Sequence, residues 1–162
     1  MDNDIKKLLN EQINAELYSA YLYIQFSNML YEEGYTGFAH WYSVQSQEEL
    51  EHAEKFMHYL HDCGECVTLT QIAAPGSDYE TLDDILHEGL RHEEYITSLI
   101  NNIYRKALEE HDYRTMKFLD WFIAEQHEEE VNAKAMIDKY QNFVCDCGCG
   151  LYELDKELSE RS

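Results

Sequence analysis

The chain has 162 residues, with 33 Asp and Glu against 12 Lys and Arg, for a formal net charge of −21. That balance excludes a nucleic-acid partner, because phosphate binding needs a basic patch, and it favours cations. At 44% hydrophobic and 13% aromatic residues the chain carries too much apolar surface for a disordered acidic tract, and its length suits one folded domain.

The start, Met1-Asp2-Asn3-Asp4, lacks the basic and apolar regions of a secretory signal. The longest uncharged run, Leu17 to Tyr31, contains Gln25, Asn28 and two serines and falls short of the roughly 20 apolar residues that span a bilayer. No membrane partner is expected, the location is expected to be cytoplasmic, and the five cysteines are expected to be reduced thiols.

One Pro and seven Gly leave long uninterrupted stretches, which read as helices. Apolar residues at Leu9, Ile13, Leu17, Ala20 and Ile24 predict a first helix over about 4–32, closed by Glu33-Gly34. A second is predicted over 37–62, ending at Asp62-Cys63-Gly64. The following segment holds the only proline, Pro75, and leads to a capping-box pattern, Thr81-Leu82-Asp83-Asp84, at the start of a third helix over 82–109. The stripe Phe118, Phe122, Ala133, Met136, Ile137 and Tyr140 marks a fourth over 113–143. A short fifth over 151–160 places Leu151, Leu154 and Leu158 on one side, an apolar face that favours oligomerisation unless something covers it.

Four helices of about 40 Å each predict an all-α four-helix bundle. Short links make two antiparallel hairpins, and the long crossover between helices 2 and 3 makes those two parallel.

Several acidic residues conflict with this pattern. Glu16 falls on or beside the stripe of the first helix. Glu49 and His52 share the sector of Tyr42, Phe56 and Tyr59. Glu93 precedes Ile96, Ile100 and Ile103 at helical spacing, and Gln126 and Glu129 interrupt the apolar line of the fourth helix. Buried carboxylates are costly unless paired or bound to metal.

Their spacing is registered. Glu16 to Glu93, Glu49 to Gln126 and His52 to Glu129 are each 77 residues apart. Each hairpin thus carries a lone Glu followed by an E/Q-x-x-H/E pair, whose members project from one helix face. One Glu from each of two helices with Glu-x-x-His motifs from the other two is the pattern of di-iron carboxylate bundles; here the second motif reads Gln126-x-x-Glu129. Oxygen and imidazole donors without thiolate suit iron or manganese.

The segments Asn10 to Ser19, Gln47 to His52, Glu125 to Glu130, and Leu151-Tyr152 through Leu158 resemble the haem-free bacterial ferritins over nearly the whole chain. The resemblance implies a ferritin-like fold and a shell of 24 subunits that oxidises Fe(II) with O₂ or H₂O₂ and stores a ferric mineral. It implies that Glu16, Glu49 and His52 hold a first iron. Glu93 and Glu129 would hold a second, with Glu49 bridging and Gln126 close by. Glu48, Glu125, Glu128 and Glu129 match a third iron site, and Tyr23 matches a tyrosine beside the centre that supplies an electron. Trp121 is also near by position.

Haem is not expected: Leu50 stands where haem-containing bacterioferritins have a ligating Met, and Glu129 stands where they have His. The rubredoxin module of rubrerythrins is absent, and ligands on all four helices differ from the inter-subunit site of the small twelve-subunit ferritins. A peroxide-scavenging di-iron protein and a structural iron-binding subunit are the alternative readings.

The resemblance leaves the cysteines unexplained. Cys63 and Cys66 follow the second helix, and Cys145, Cys147 and Cys149 link the fourth to the fifth. The chain order puts these groups at opposite ends of the bundle, so no single site within a subunit can use both. A soft metal or an electron carrier at the second group, and tolerated small loop residues, are both open readings. His127 lies beside the ligands in sequence but about 100° around the helix from Gln126, and is not expected to bind metal.

Overall fold

The computed structural model of the chain describes residues 1–162. Helix α1 spans Asn3–Glu32, α2 Thr36–Asp62, α3 Leu82–Glu109, α4 Tyr113–Phe143 and α5 Cys149–Leu158. The fold is all-α, a four-helix bundle with a short C-terminal helix. No helix is long and apolar enough to cross a membrane.

The helix ends follow from local chemistry. Asp2 caps α1 by accepting from the Asp4 and Ile5 amides at 2.9 and 3.3 Å. Thr81 and Asp84 form the reciprocal capping box at α3. Three helices end in Schellman motifs, with Tyr35 N–H donating to Leu30, Glu65 to Leu60 and Asp112 to Ala107. The left-handed residue is Gly34 in the first and Gly64 in the second. In the third it is His111, at φ 55°, a conformation that costs a residue with a Cβ roughly 1–2 kcal/mol.

The crossover lies along α1. Asn10 accepts from the Thr68 amide at 2.6 Å, Asn14 donates to the Gln71 carbonyl at 3.1 Å, and Tyr79 reaches Phe26 with ring centroids 5.3 Å apart. The link therefore travels the length of the bundle, and α2 and α3 run parallel.

The buried line of α1 is Ile5, Leu9, Ile13, Glu16, Ala20 and Tyr23. Ile24, placed on the buried stripe by sequence spacing, is 41% exposed. At 3.6 residues per turn the inward face has rotated past it by that depth, and Tyr23 takes the core position.

Helix α5 starts at Cys149, earlier than its apolar spacing suggested, because Gly148 turns the chain at φ 73°. Leu154 and Leu158 are buried against the bundle and Leu151 packs beside them. The apolar face of α5 is thus covered within the subunit and gives no argument for oligomerisation. Asp155 also caps α2, which has no side-chain cap of its own, by accepting from the Gly37 and Phe38 amides at 2.9 and 3.0 Å.

The core is two apolar clusters. One holds Leu22, Phe26, Phe38, Tyr42, Leu86 and Ile137 with the buried leucines of α5. The other, at the opposite end, holds Ile5, Leu9, Phe56, Leu60, Ile100 and Phe122. Between them lies a layer of buried polar side chains.

Candidate metal centre

Glu16, Glu49, His52, Glu93, Gln126 and Glu129 are all buried, at 1–5% exposure, although each sits on a surface-length helix. All four long helices contribute. Glu16, Glu49 and His52 form one group whose ligand atoms lie within 4.8 Å of one another, and His52, Glu125 and Glu129 form a second. His52 joins the two: its Nδ1 is 3.1 Å from Glu49 Oε2 and its Nε2 is 3.9 Å from Glu125 Oε1.

Glu93 stands outside those two groups and is held from α1 and α4. Tyr23 donates its hydroxyl to Glu93 Oε1, and Gln126 Nε2 donates to Glu93 Oε2 at 3.1 Å. Tyr23 is therefore in direct contact with a carboxylate of the centre. Trp121, 42% exposed, meets His52 edge-on at 5.6 Å between ring centroids and carries Lys55 Nζ 4.4 Å above its face.

Among the residues matched to a third iron, Glu125 and Glu129 come together with His52. Glu48 is instead paired with Arg161, and Glu128 is exposed and belongs to neither group. His127 is also exposed.

Four carboxyl groups in so small a dry volume cannot all ionise cheaply. Burial pushes Glu16 up to about 8, with Glu49 adding to the effect. Burial and the charge of Glu93 push Glu129 up to about 8. Burial raises Glu93 to about 7, against the pull of its bonds from Tyr23 and Gln126. Glu49 is raised well above the ordinary carboxylate range by burial and by Glu93 and Glu129. Glu16 Oε2 is buried with no hydrogen-bond partner, which otherwise costs on the order of 1–3 kcal/mol. Cations would relieve both penalties, and the donor set of carboxylate oxygens and one imidazole fits a divalent first-row ion.

The sequence reading missed the groups that aim these ligands. Gln12 Nε2 donates to Glu16 Oε1 at 2.7 Å. Gln45 Nε2 donates to Glu129 Oε2 at 2.8 Å and to Glu49 Oε1 at 3.2 Å. The orientation of the Gln45 amide is fixed from behind, since Arg161 Nη1 donates to its Oε1 at 2.9 Å. Both glutamines lie one turn before a glutamate of the centre, but Gln-x-x-x-Glu occurs four times in the sequence, also at Gln47/Glu51 and Gln126/Glu130, so the spacing alone does not single them out.

His92, beside the centre on α3, is no ligand. Burial and Arg91 lower it to about 4, so it is neutral. Ser19 gives its proton to the Ala15 carbonyl at 3.0 Å and accepts from His92 Nε2 at 2.7 Å.

Residues 6–143 match the Ferritin-like domain family. The chain is 38% identical over 162 residues to a probable bacterial non-heme ferritin-like protein of Haemophilus influenzae, covering 100% of this chain and 98% of that one. It is 40% identical over 151 residues to the bacterial non-heme ferritin of Escherichia coli O157:H7, covering 93% and 91%. Its fold superimposes on that of an open pore ferritin from the hyperthermophilic archaeon Archaeoglobus fulgidus with a TM-score of 0.97 at 36% identity, covering 100% of this chain and 99% of the other.

Proposed function

The chain belongs to the ferritin family, and from that membership we propose that it stores iron, oxidising Fe(II) at a di-iron centre inside each subunit. The observation that carries this reading is the buried group Glu16, Glu49 and His52, with an unpartnered Glu16 oxygen and with the buried carboxyls of Glu93 and Glu129 close enough to act on Glu49. The names of the relatives support iron storage; the oxidation step rests on the site.

Two Fe(II) ions are the substrate. Glu16, Glu49 and His52 take one, and Glu93 and Glu129 take the other, with Glu49 able to face both. Each ion gives one electron, so the pair reduces one O₂ to H₂O₂, or one H₂O₂ to water, with two protons taken up. The carboxylates supply negative charge that favours the ferric product over the ferrous substrate. Tyr23 holds Glu93 in place and is positioned to lend a further electron. The ferric ions then hydrolyse to oxide within a shell of 24 subunits in the cytoplasm, whose inner acidic side chains draw in further Fe(II). Of the residues matched to a third iron, Glu125 and Glu129, grouped with His52, form that site in this proposal, and Glu48 and Glu128 would join it only by moving toward it. Iron binding at Glu48 would require its ion pair with Arg161 to open.

The test is rapid-mixing oxidation of Fe(II) with the Glu49→Ala and His52→Ala variants. The fast phase should disappear while the assembled particle keeps its size by exclusion chromatography; unchanged kinetics would overturn the assignment. Initial rates with O₂ and H₂O₂, together with iron retained per chain, separate storage from peroxide scavenging. A storage protein retains far more than two irons per chain, and a scavenger does not.

A further inference from the structure

We propose that the loop between α4 and α5 is a thiolate site for a thiophilic d10 cation such as Zn(II), built from Cys145, Cys147 and Cys149 and separate from the carboxylate centre. The three residues fall within five positions, and all three thiols are free and exposed. That is unusual for cysteine, which is among the most often buried residue types.

The loop is shaped rather than slack. The Gly148 amide donates to the Cys145 carbonyl at 3.0 Å, closing a turn that brings Cys145 Sγ and Cys147 Sγ to 2.9 Å. Gly148 then takes the left-handed conformation at φ 73° and starts α5 with Cys149 as its first residue. The Cys149 thiol lies 3.9 Å from the Cys147 carbonyl oxygen. Gly150 packs so closely on the end of α4 that a Cβ there would meet the Phe143 carbonyl at 1.6 Å. A glycine on each side of Cys149 therefore sets the path of the backbone that carries all three sulfurs.

Two thiolates on one tetrahedral ion, each about 2.3 Å from it, sit roughly 3.8 Å apart. A small rotation of either side chain opens the Cys145–Cys147 pair to that spacing. The Cys149 thiol, which rests against the Cys147 carbonyl oxygen and not within 4.8 Å of both other sulfurs, turns toward the pair to supply the third ligand, and solvent takes the fourth position. Soft sulfur donors select a d10 cation over the hard ions suited to the carboxylate layer. Binding is not a redox step: each thiol releases its proton to solvent as its sulfur engages the metal. Cys63 and Cys66 lie beyond the other end of the bundle, beside the Glu65–Lys6 ion pair at 2.7 Å, and take no part.

The test is titration of the reduced, metal-free, assembled protein with Cd(II), followed by its thiolate-to-metal charge-transfer absorption. Oxygen and imidazole ligands give no such band, so cadmium at the carboxylate centre does not interfere. The band should saturate at one ion per chain, vanish in the Cys145→Ser, Cys147→Ser, Cys149→Ser triple variant, and persist in Cys63→Ser, Cys66→Ser. It should also persist in Glu49→Ala, which makes the site independent of the iron reading. Should the triple variant fail to assemble, Cys147→Ser alone should weaken binding at least tenfold. Absence of the band, its survival in the triple variant, no weakening in Cys147→Ser, or saturation at one ion per two or more chains would overturn the proposal. Loading with Zn(II) first should shift the Cd(II) titration to higher concentration; an unshifted titration would remove Zn(II) as the type of ion bound.

Discussion

Raising the pH of the metal-free protein from 5 to 8 should weaken it, because its buried carboxyls hold protons that an unfolded chain would release. Glu16 moves from an ordinary 4.5 to about 8 in the fold, Glu129 to about 8 and Glu93 to about 7. The folded state thus binds more protons than the unfolded state across this range, and stability falls as pH rises. The stability is fully present below about 4.5 and is lost by the time pH passes about 8. For Glu16 alone, a displacement from 4.5 to about 8 corresponds to about 4–5 kcal/mol. The four carboxyls share one another's repulsion, so their costs do not add. Glu16→Gln is a neutral isostere that still accepts from Gln12. Thermal unfolding in chelator at pH 5 and pH 8 provides the assay. Relative to wild type, Glu16→Gln should gain several kcal/mol at pH 8 and little at pH 5; for a chain of this size about 4 kcal/mol is roughly 8–16 °C in Tm. Divalent metal at pH 8 should raise the wild type far more than the variant. A wild type as stable in chelator at pH 8 as at pH 5, or a variant with the same pH slope, would refute the reasoning.

Tyr23→Phe removes the only hydroxyl bond to Glu93, and loss of such a supporting bond should cost roughly 10–100-fold in iron affinity or initial oxidation rate, read by anaerobic Fe(II) binding and rapid mixing, with the fold intact by circular dichroism. Gly37→Ala places a Cβ 1.6 Å from the Asp155 carbonyl, so α5 should undock and expose Leu154 and Leu158, a loss of about 3–5 kcal/mol from apolar burial. Asp155→Ala, which removes only the α2 cap, should cost about 1 kcal/mol. Unfolding midpoints and proteolysis between α4 and α5 distinguish the two.

The layer of acidic residues was legible because an ionisable side chain on a helical apolar stripe contradicts its surroundings, and the 77-residue register repeats that contradiction. Glu16, Glu49, Glu93 and Glu129 stand out for that reason. Gln12 and Gln45 do not, since an uncharged amide near the edge of a stripe is ordinary. The register also fails to pair them: the counterpart of Gln12 is Gly89 and that of Gln45 is Phe122. Arg161 is harder still. Its contact with Gln45 joins residues 116 positions apart, a separation no local pattern carries. The fate of the α5 leucines likewise depended on whether the chain folds back onto α2, which spacing alone does not decide, whereas the capping box at Thr81 needed only four consecutive residues.

The division of the core into two apolar clusters also governs how the helices align. Layers of Leu, Ile and Phe are nearly interchangeable, and helices joined only by such layers could slip by one turn, about 5.4 Å, at modest expense. In this bundle a slip would carry Glu16 or Glu49 into an apolar cluster and leave Gln12, Gln45 and Gln126 without acceptors. The binding layer is therefore also the key that fixes the axial alignment of all four helices, much as one polar position fixes register in a coiled coil. Replacing the layer with well-packed apolar residues would raise stability while removing that key, so this centre defines the fold's alignment even before metal arrives.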